Sequence, residues 1–210
     1  MAPVFLKNNK LENCHKKAIK MNKKEIIERL QKGNNNFIND SLSHANLDGD
    51  RRSSQTGGQS PFAIILSCAD SRVVPELAFD TGIGELFVVR VAGNIANTSS
   101  IASMEYAVAN LGTEIIVVLG HQSCGAVTAA VGGGDNGYNL NHLLAHIAPA
   151  IDKATDSSNV DEVIRVNAQL TVEDLINRSA IIGSAVKSGK VQIVPAYYHL
   201  DSGKVEFLTS

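Results

Sequence analysis

The sequence predicts an α/β protein with a mainly parallel β-sheet flanked by helices, an antiparallel edge strand at the C-terminus and an N-terminal helical arm. Short β-branched apolar runs at residues 62–66, 86–91, 115–119 and 191–198 alternate with helical segments, which is typical of a parallel sheet. A polar turn at residues 201–204 then leads into a last apolar run at 205–208, as expected for a hairpin at the sheet edge. The 210 residues are enough for one domain with a substantial core.

The composition excludes several classes of partner. Hydrophobic residues make up 44% of the chain and charged residues 19%, and the net charge is −2, so neither nucleic acid nor an anionic membrane is indicated. No apolar run approaches the roughly 20 residues of a membrane span. The three cysteines are odd in number, and two have ligand-like neighbours, which argues against a disulfide framework and for a reducing compartment. We therefore expect a cytoplasmic protein, or an organellar one if the N-terminal tail is a processed targeting remnant.

The N-terminal region divides into two parts. Residues 1–21 are rich in Lys and Asn without a periodic apolar face, and we expect a disordered or extension tail. Cys14 and His15 are adjacent there, but nothing fixes their geometry as a metal site. Residues 22–210 are expected to form a single domain, which includes the helical arm at 22–40. Asn22 is the expected N-cap of this arm, with Glu25 completing a capping box, and the arm is expected to dock on the body or on a second subunit.

The remaining elements follow from turn and capping signals. Residues 40–60 are polar and Gly-rich, which predicts a loop. Thr98 or Ser99 is expected to cap one helix, which Gly112 closes. A second is expected over residues 139–152, and a long helical stretch from Ser157 or Ser158 towards Lys187.

Three potential metal ligands follow two of the predicted strands. Cys68 comes after the first strand, and His121 and Cys124 come after the third. Because the carboxyl ends of neighbouring parallel strands meet in one crevice, these side chains are expected to converge. Thiolates and an imidazole are zinc ligands, and three protein ligands leave one tetrahedral position open, as in catalytic sites. We therefore predict one Zn²⁺ per chain.

Other polar motifs in the chain carry weaker signals than these three ligands. Asp70 and Arg72 follow Cys68 closely, and a pair in which Arg72 orients an ionised Asp70 beside the metal is the sharper of two interpretations; the other is a helix-start aspartate with a surface partner. His142 and His146 are spaced as on a metal-binding helix face, but we interpret them as surface or interface histidines. The glycine pairs and triplets lack the remaining signatures of nucleotide-binding loops.

The two metal-ligand segments resemble the signatures of the β-class carbonic anhydrases. Residues 68–72 (CADSR) are similar to the first signature of that family and residues 120–126 (GHQSCGA) to the second, and residues 87–90, 93–94 and 103–108 are similar to the segments between. The resemblance runs from about residue 57 to the C-terminus, and residues 24–37 resemble the arm of the family. It implies zinc held by Cys68, His121 and Cys124, with Asp70 and Arg72 as a catalytic pair.

The resemblance also implies the reaction and the assembly. The reaction is the reversible hydration of CO₂ to bicarbonate and a proton through attack by zinc-bound hydroxide, in a pocket that involves Gln59, Phe87, Tyr106 and Gly125. Part of the pocket comes from a neighbouring chain, in a homodimer that often pairs into tetramers. In some members the equivalent of Asp70 is a fourth zinc ligand in a closed, inactive state. Asn110 stands where plant-type members carry a proton-shuttling His, so the resemblance does not identify the group that transfers the proton in this chain.

Two alternatives remain at this point. The same scaffold can hydrolyse carbonyl sulfide or carbon disulfide, with pocket width and access deciding between the substrates. The chain can also be a non-catalytic protein that binds zinc or bicarbonate, although the presence of Asp70, Arg72 and Gln59 speaks against this.

Overall fold

A computed structural model describes residues 21–208, which form a five-stranded sheet with strand order β2-β1-β3-β4-β5. The strands are β1 (Ala63–Ser67), β2 (Leu86–Arg90), β3 (Ile115–His121), β4 (Gln192–Tyr198) and β5 (Val205–Phe207). The first four pair in parallel and β5 pairs antiparallel with β4, so the predicted α/β fold with an antiparallel C-terminal edge strand is confirmed. Cys14 and His15 lie outside the described residues.

Nine α-helices surround this sheet within the described part of the chain. They are α1 (Lys23–Ile38), α2 (Gly49–Ser54), α3 (Pro75–Ala78), α4 (Thr98–Asn110), α5 (Gly125–Gly132), α6 (Tyr138–Leu144), α7 (Ala148–Lys153), α8 (Val160–Arg178) and α9 (Ala180–Lys187), and a 3₁₀ turn occupies Ala92–Asn94. The capping box of α1 is present as predicted, because the side chain of Asn22 accepts from the Glu25 N–H and Glu25 reaches back to the Asn22 N–H.

Several predicted boundaries are wrong, and local caps explain them. The predicted loop at 40–60 contains α2, whose N-cap Asp48 accepts a hydrogen bond from the Arg51 N–H at 2.8 Å. The N-cap of α4 is Asn97 rather than Thr98 or Ser99, because the Asn97 side chain accepts from the Ser100 N–H at 2.9 Å. The long helical stretch likewise begins only after its N-cap Asn159.

Two predicted helices are each divided into two. The segment 139–152 becomes α6 and α7, with Ile147 fully buried at the break and Pro149 in the first turn of α7. The stretch towards Lys187 breaks at Ser179, whose hydroxyl accepts from the Ile182 N–H and so caps α9. A proline at the start of α7 and a serine cap at the start of α9 therefore mark the two breaks.

The core lies on both faces of the sheet. On one face, side chains of β1 and β3 pack against α4, α8 and α9; on the other, they pack against α1 and the end of α3. Both central strands are buried along their whole length. A third cluster contains Cys68 and Cys124 together with apolar residues of α5 to α8, and it lies at the carboxyl ends of β1 and β3. The arm helix α1 packs on the body of its own chain, and its wrapping over a partner stays a prediction.

Candidate metal centre

The three predicted ligands meet at the carboxyl edge of the sheet. Cys68 directly follows β1, His121 is the last residue of β3, and Cys124 is the N-cap of α5. The strands β1 and β3 are neighbours, with Ser67 opposite Leu119. The ligand atoms of the three side chains all lie within 4.8 Å of one another, and all three residues are buried.

The arrangement fits a tetrahedral zinc ion. The two sulfur atoms are 4.0 Å apart, close to the separation of about 3.8 Å that two zinc–sulfur bonds of about 2.3 Å give at a tetrahedral angle. The His121 ring lies with Nδ1 2.9 Å from the Gln122 carbonyl, so Nδ1–H donates there and Nε2 keeps its lone pair. That Nε2 is buried and has no hydrogen-bond partner among the described residues, which is the environment expected of a metal-ligating nitrogen.

The surroundings of the two sulfurs favour thiolate at Cys68. The hydrogen bond from the Cys124 thiol is the largest influence that lowers the pKa of Cys68, and the Gly93 N–H, 3.4 Å from the Cys68 sulfur, also lowers it. The pKa of Cys124 is raised by its hydrogen bond to Cys68 and by burial. A cation bound between the sulfurs stabilises both as thiolates, because it replaces the shared proton.

Asp70 and Arg72 form a two-pronged ion pair beside the cluster. The Arg72 Nε and Nη2 atoms lie 2.9 and 2.8 Å from the two carboxylate oxygens, and these hydrogen bonds hold the pKa of Asp70 well below its usual range. Asp70 Oδ2 is 3.9 Å from His121 Nε2. Arg72 also donates to the Ser123 carbonyl at 3.3 Å, so one guanidinium joins the two loops that carry the sulfurs.

Sequence reasoning missed Arg90, which anchors the Cys68 loop. Its Nε donates to the Cys68 carbonyl at 3.0 Å and its Nη2 to the Asp70 carbonyl at 2.6 Å. Arg90 ends β2 and lies opposite Ser67 in the sheet. The strand-end argument that selected Cys68 also selects Arg90, once β2 is recognised as a neighbour of β1.

The remaining predicted site residues divide into two groups. Gly125 is the first residue of α5 and adjoins Cys124. Phe87 lies opposite Ile64 on β1, and Cys68 is four residues further, which is about 13 Å along a strand. Gln59 is exposed and precedes β1, at the opposite end from Cys68, and Tyr106 on α4 is 50% exposed. One chain therefore does not bring Gln59 and Phe87 to the cluster, and the contribution of a neighbouring chain stays a prediction.

His142 and His146 pack their rings against each other edge-to-face, with centroids 5.7 Å apart. His142 is exposed and His146 is half-buried. They lie outside the Cys–His–Cys cluster, and their interpretation as surface or interface histidines stays a prediction. Across residues 21–208, the helices are too short or too polar to traverse a bilayer.

Comparison with known proteins gives the same answer as the geometry. The fold and the cluster define an α/β protein with a buried Cys–His–Cys cluster whose ligand atoms are placed to hold a metal ion. A family model described as carbonic anhydrase matches residues 63–205. The chain belongs to the carbonic anhydrase family, in its β class, and is a carbonic anhydrase enzyme.

The matched relatives cover most of the chain. Carbonic anhydrase 2 of Mycobacterium tuberculosis is 38% identical over 181 residues, which are 83% of this chain and 87% of the relative. Carbonic anhydrase of Mycolicibacterium smegmatis is 38% identical over 183 residues, 84% of this chain and 89% of the relative. Among solved structures, a tetrameric β-carbonic anhydrase of Sordaria macrospora superposes with a TM-score of 0.69 at 25% identity, covering 76% of this chain and 86% of that one. The β-carbonic anhydrase of Coccomyxa in complex with acetazolamide gives 0.69 at 26% identity, covering 75% and 76%.

Proposed function

We propose that the protein catalyses the reversible hydration of CO₂ to bicarbonate and a proton, with Zn²⁺ held by Cys68, His121 and Cys124. The observation that carries the proposal is the convergence of three ligand atoms within 4.8 Å, beside a carboxylate that an arginine holds ionised. When bound by three protein ligands, zinc acidifies the water in its fourth position and supplies a hydroxide nucleophile near neutral pH.

Asp70 is the residue assigned to orient the nucleophile. Its carboxylate stays ionised because of Arg72, so it accepts a hydrogen bond from the attacking solvent molecule and aligns a lone pair with the CO₂ carbon. The bond to Arg72 also supports an open state, in which Asp70 is not itself the fourth ligand. In a closed state Asp70 would leave Arg72 and occupy that position.

The substrate pocket is proposed to be shared between two chains. The N–H of Gly125, at the start of α5, is the proposed donor to a bicarbonate oxygen. Gln59, Phe87 and Tyr106 of a second copy complete the pocket, with the amide of Gln59 binding a substrate oxygen and the two rings excluding water. This requires a homodimer, and we propose that two dimers can pair, which is supported by the tetrameric state of the Sordaria macrospora enzymes.

The proposal is tested by stopped-flow CO₂ hydration together with zinc analysis of the same preparations. Wild type is expected to contain one zinc per chain and to be active. Asp70→Asn is expected to keep its zinc and to lose about 100-fold or more in kcat/KM, the range typical of a positioned acid–base group. Asp152→Asn, at an exposed position on α7, is the matched control and is expected to leave both values unchanged.

The outcomes separate the alternatives. Zinc-loaded wild type without CO₂ hydration would contradict the proposed reaction, and hydrolysis of carbonyl sulfide or carbon disulfide by the same sample would identify the other substrates. Full activity of Asp70→Asn would remove Asp70 from the mechanism.

A further inference from the structure

A single peptide segment links helix α8 to the sulfur of Cys68. The Gly93 N–H lies 3.4 Å from Cys68 Sγ. The Gly93 carbonyl in turn accepts a hydrogen bond at 2.9 Å from Nδ2 of Asn167. Asn167 lies in the middle of α8, is 2% exposed, and is not adjacent in sequence to any of the proposed metal ligands.

The backbone conformation at Gly93 favours glycine, but glycine alone does not fix the direction of its N–H. Its φ is +70°, and a Cβ there would lie 2.9 Å from Ile147 Cδ1 and 3.4 Å from Ala126 Cβ. A side chain would therefore be strained at this φ and would have to displace the Ile147 methyl group. Glycine is also the residue with the freest backbone torsions, so the direction of its N–H needs an external restraint. The hydrogen bond from Asn167 is such a restraint, because it fixes the carbonyl group of the residue whose N–H points at the sulfur.

Asn167 is a polar side chain in an apolar environment, so its hydrogen bond to Gly93 is not explained by packing alone. Its neighbours on α8 include Val163, Ile164 and Ala168, which are buried in the apolar core. Burying an amide among apolar side chains is unfavourable unless it is hydrogen-bonded, and the Gly93 carbonyl provides the partner. An apolar side chain of similar volume would fill this space without that requirement.

We propose that Asn167 is a positioning residue of the metal centre, which holds the Gly93 N–H on the Cys68 sulfur. A hydrogen bond to a thiolate ligand withdraws electron density from the sulfur and weakens its donation to the metal. The role depends on the proposed metal site. Loss of the Asn167 amide is expected to release the Gly93 peptide, to make Cys68 a stronger electron donor and to change the properties of the bound ion.

The test uses the full chain loaded with Co²⁺ as a spectroscopic probe, and with Zn²⁺ for affinity and rate. Asn167→Leu removes the amide at similar volume, and Asn167→Gln keeps an amide donor. Thr171→Val is the matched control, because Thr171 is a buried polar residue one turn further along α8. The readouts are the thiolate-to-cobalt absorption band, zinc retention against a chelator, the midpoint of the pH–rate profile and the melting temperature.

Asn167→Leu is expected to shift the thiolate-to-cobalt band, to change zinc affinity about 10-fold, and to move the pH–rate midpoint upwards. Asn167→Gln is expected to return these readouts towards wild type. Thr171→Val is expected to change the melting temperature alone. Should Asn167→Leu fail to fold, Asn167→Ala, which adds no volume, is measured in the same way.

A spectrum, zinc affinity and pH midpoint equal to wild type in Asn167→Leu, with only the melting temperature lowered, would overturn the proposal and leave Asn167 a structural residue. That result is distinct from a failure of the proposed function, in which wild type itself would bind neither Co²⁺ nor Zn²⁺ through its cysteines, or would bind Zn²⁺ and not hydrate CO₂.

Discussion

At the scale of single residues, Ser123 adopts a left-handed backbone conformation, which residues with a side chain disfavour. It lies in the loop between two proposed ligands. Ser123 has φ +54° between His121 and Cys124, and Arg72 holds its carbonyl. Ser123→Val is expected to reduce the free energy of unfolding by about 1–2 kcal/mol, because a β-branched residue is strained in the left-handed region. Ser123→Gly is expected to be neutral or slightly stabilising. Urea unfolding of both variants checks this, and equal stability of the two would contradict it.

Asn34 is a second residue whose buried polar side chain has a definable task. It donates to the Ala78 and Gly203 carbonyls at 3.0 and 2.8 Å and accepts from the Val205 N–H at 2.8 Å. Asn34→Ala is expected to lower the free energy of unfolding by about 2–4 kcal/mol, because three buried backbone groups lose their partner. Asn35→Ala, at the exposed next position, serves as the control. A loss in Asn34→Ala no larger than in the control would show that water replaces the amide.

At the scale of elements, the sequence predicts the features that depend on nearby residues. It does not predict those that depend on which strands or helices pack alongside. The capping box of α1 and the convergence of Cys68 with His121 and Cys124 both follow from residue types and strand ends. The predicted third strand stopped at Leu119, whereas β3 runs on to His121, because it pairs with β4 as far as Tyr198. That extension depends on a partner strand far along the chain. The role of Arg90 was missed for the same reason, since it depends on which strand lies beside β1.

The docking of α1 on the body depends on the absence of one side chain. A Cβ at Gly33 would lie 1.9 Å from the Phe79 carbonyl oxygen. Gly33→Ala is therefore expected to push α1 away from the body and to lower the free energy of unfolding by about 3 kcal/mol, although alanine is the better helix former. Gly132→Ala on α5 is the matched change, since nothing lies within 4 Å of its Cβ position. Thermal melts followed by circular dichroism compare the two, and a harmless Gly33→Ala would mean that α1 adjusts freely.

At the scale of the whole molecule, the exposed flank of the sheet bears on the proposed dimer. The edge strand β2 presents the apolar residues Leu86, Phe87, Val88 and Val89, all only half-buried in one chain. Such an edge favours association. Val88→Lys is expected to convert the dimer to monomers, and to abolish CO₂ hydration with zinc retained, because the pocket residues of the second copy are lost. Sedimentation, zinc analysis and activity check this against Leu47→Lys, at an exposed apolar position. An active monomer would refute the shared pocket.

Acid stability also belongs to the whole molecule, because carboxylates with lowered pKa values lie in separate regions. Arg72 lowers the pKa of Asp70 and Arg165 lowers that of Glu206. A carboxyl whose folded pKa lies below its unfolded value, about 4 to 4.3, stabilises the fold above that unfolded value. The contribution disappears as pH falls through the folded pKa. Stability is therefore expected to decline below about pH 5 as these pairs are protonated.

Glu206 allows the acid dependence of stability to be measured at a site that is separate from the proposed metal ligands. It lies 2.9 Å from Arg165 and joins β5 to α8, with a side chain that is 44% exposed. Glu206→Gln is expected to lower the free energy of unfolding at pH 7 by less than about 1 kcal/mol, since solvent screens the pair. The difference from wild type is expected to vanish in acid, once Glu206 of the folded wild type is itself protonated. Its size near neutral pH also reflects His199, whose Nε2 lies 3.4 Å from Glu206. Urea unfolding from pH 7 to pH 3 measures this difference, in which the effect of metal release cancels because it is common to both proteins. A difference at pH 3 as large as that at pH 7 would contradict the lowered folded-state pKa of Glu206.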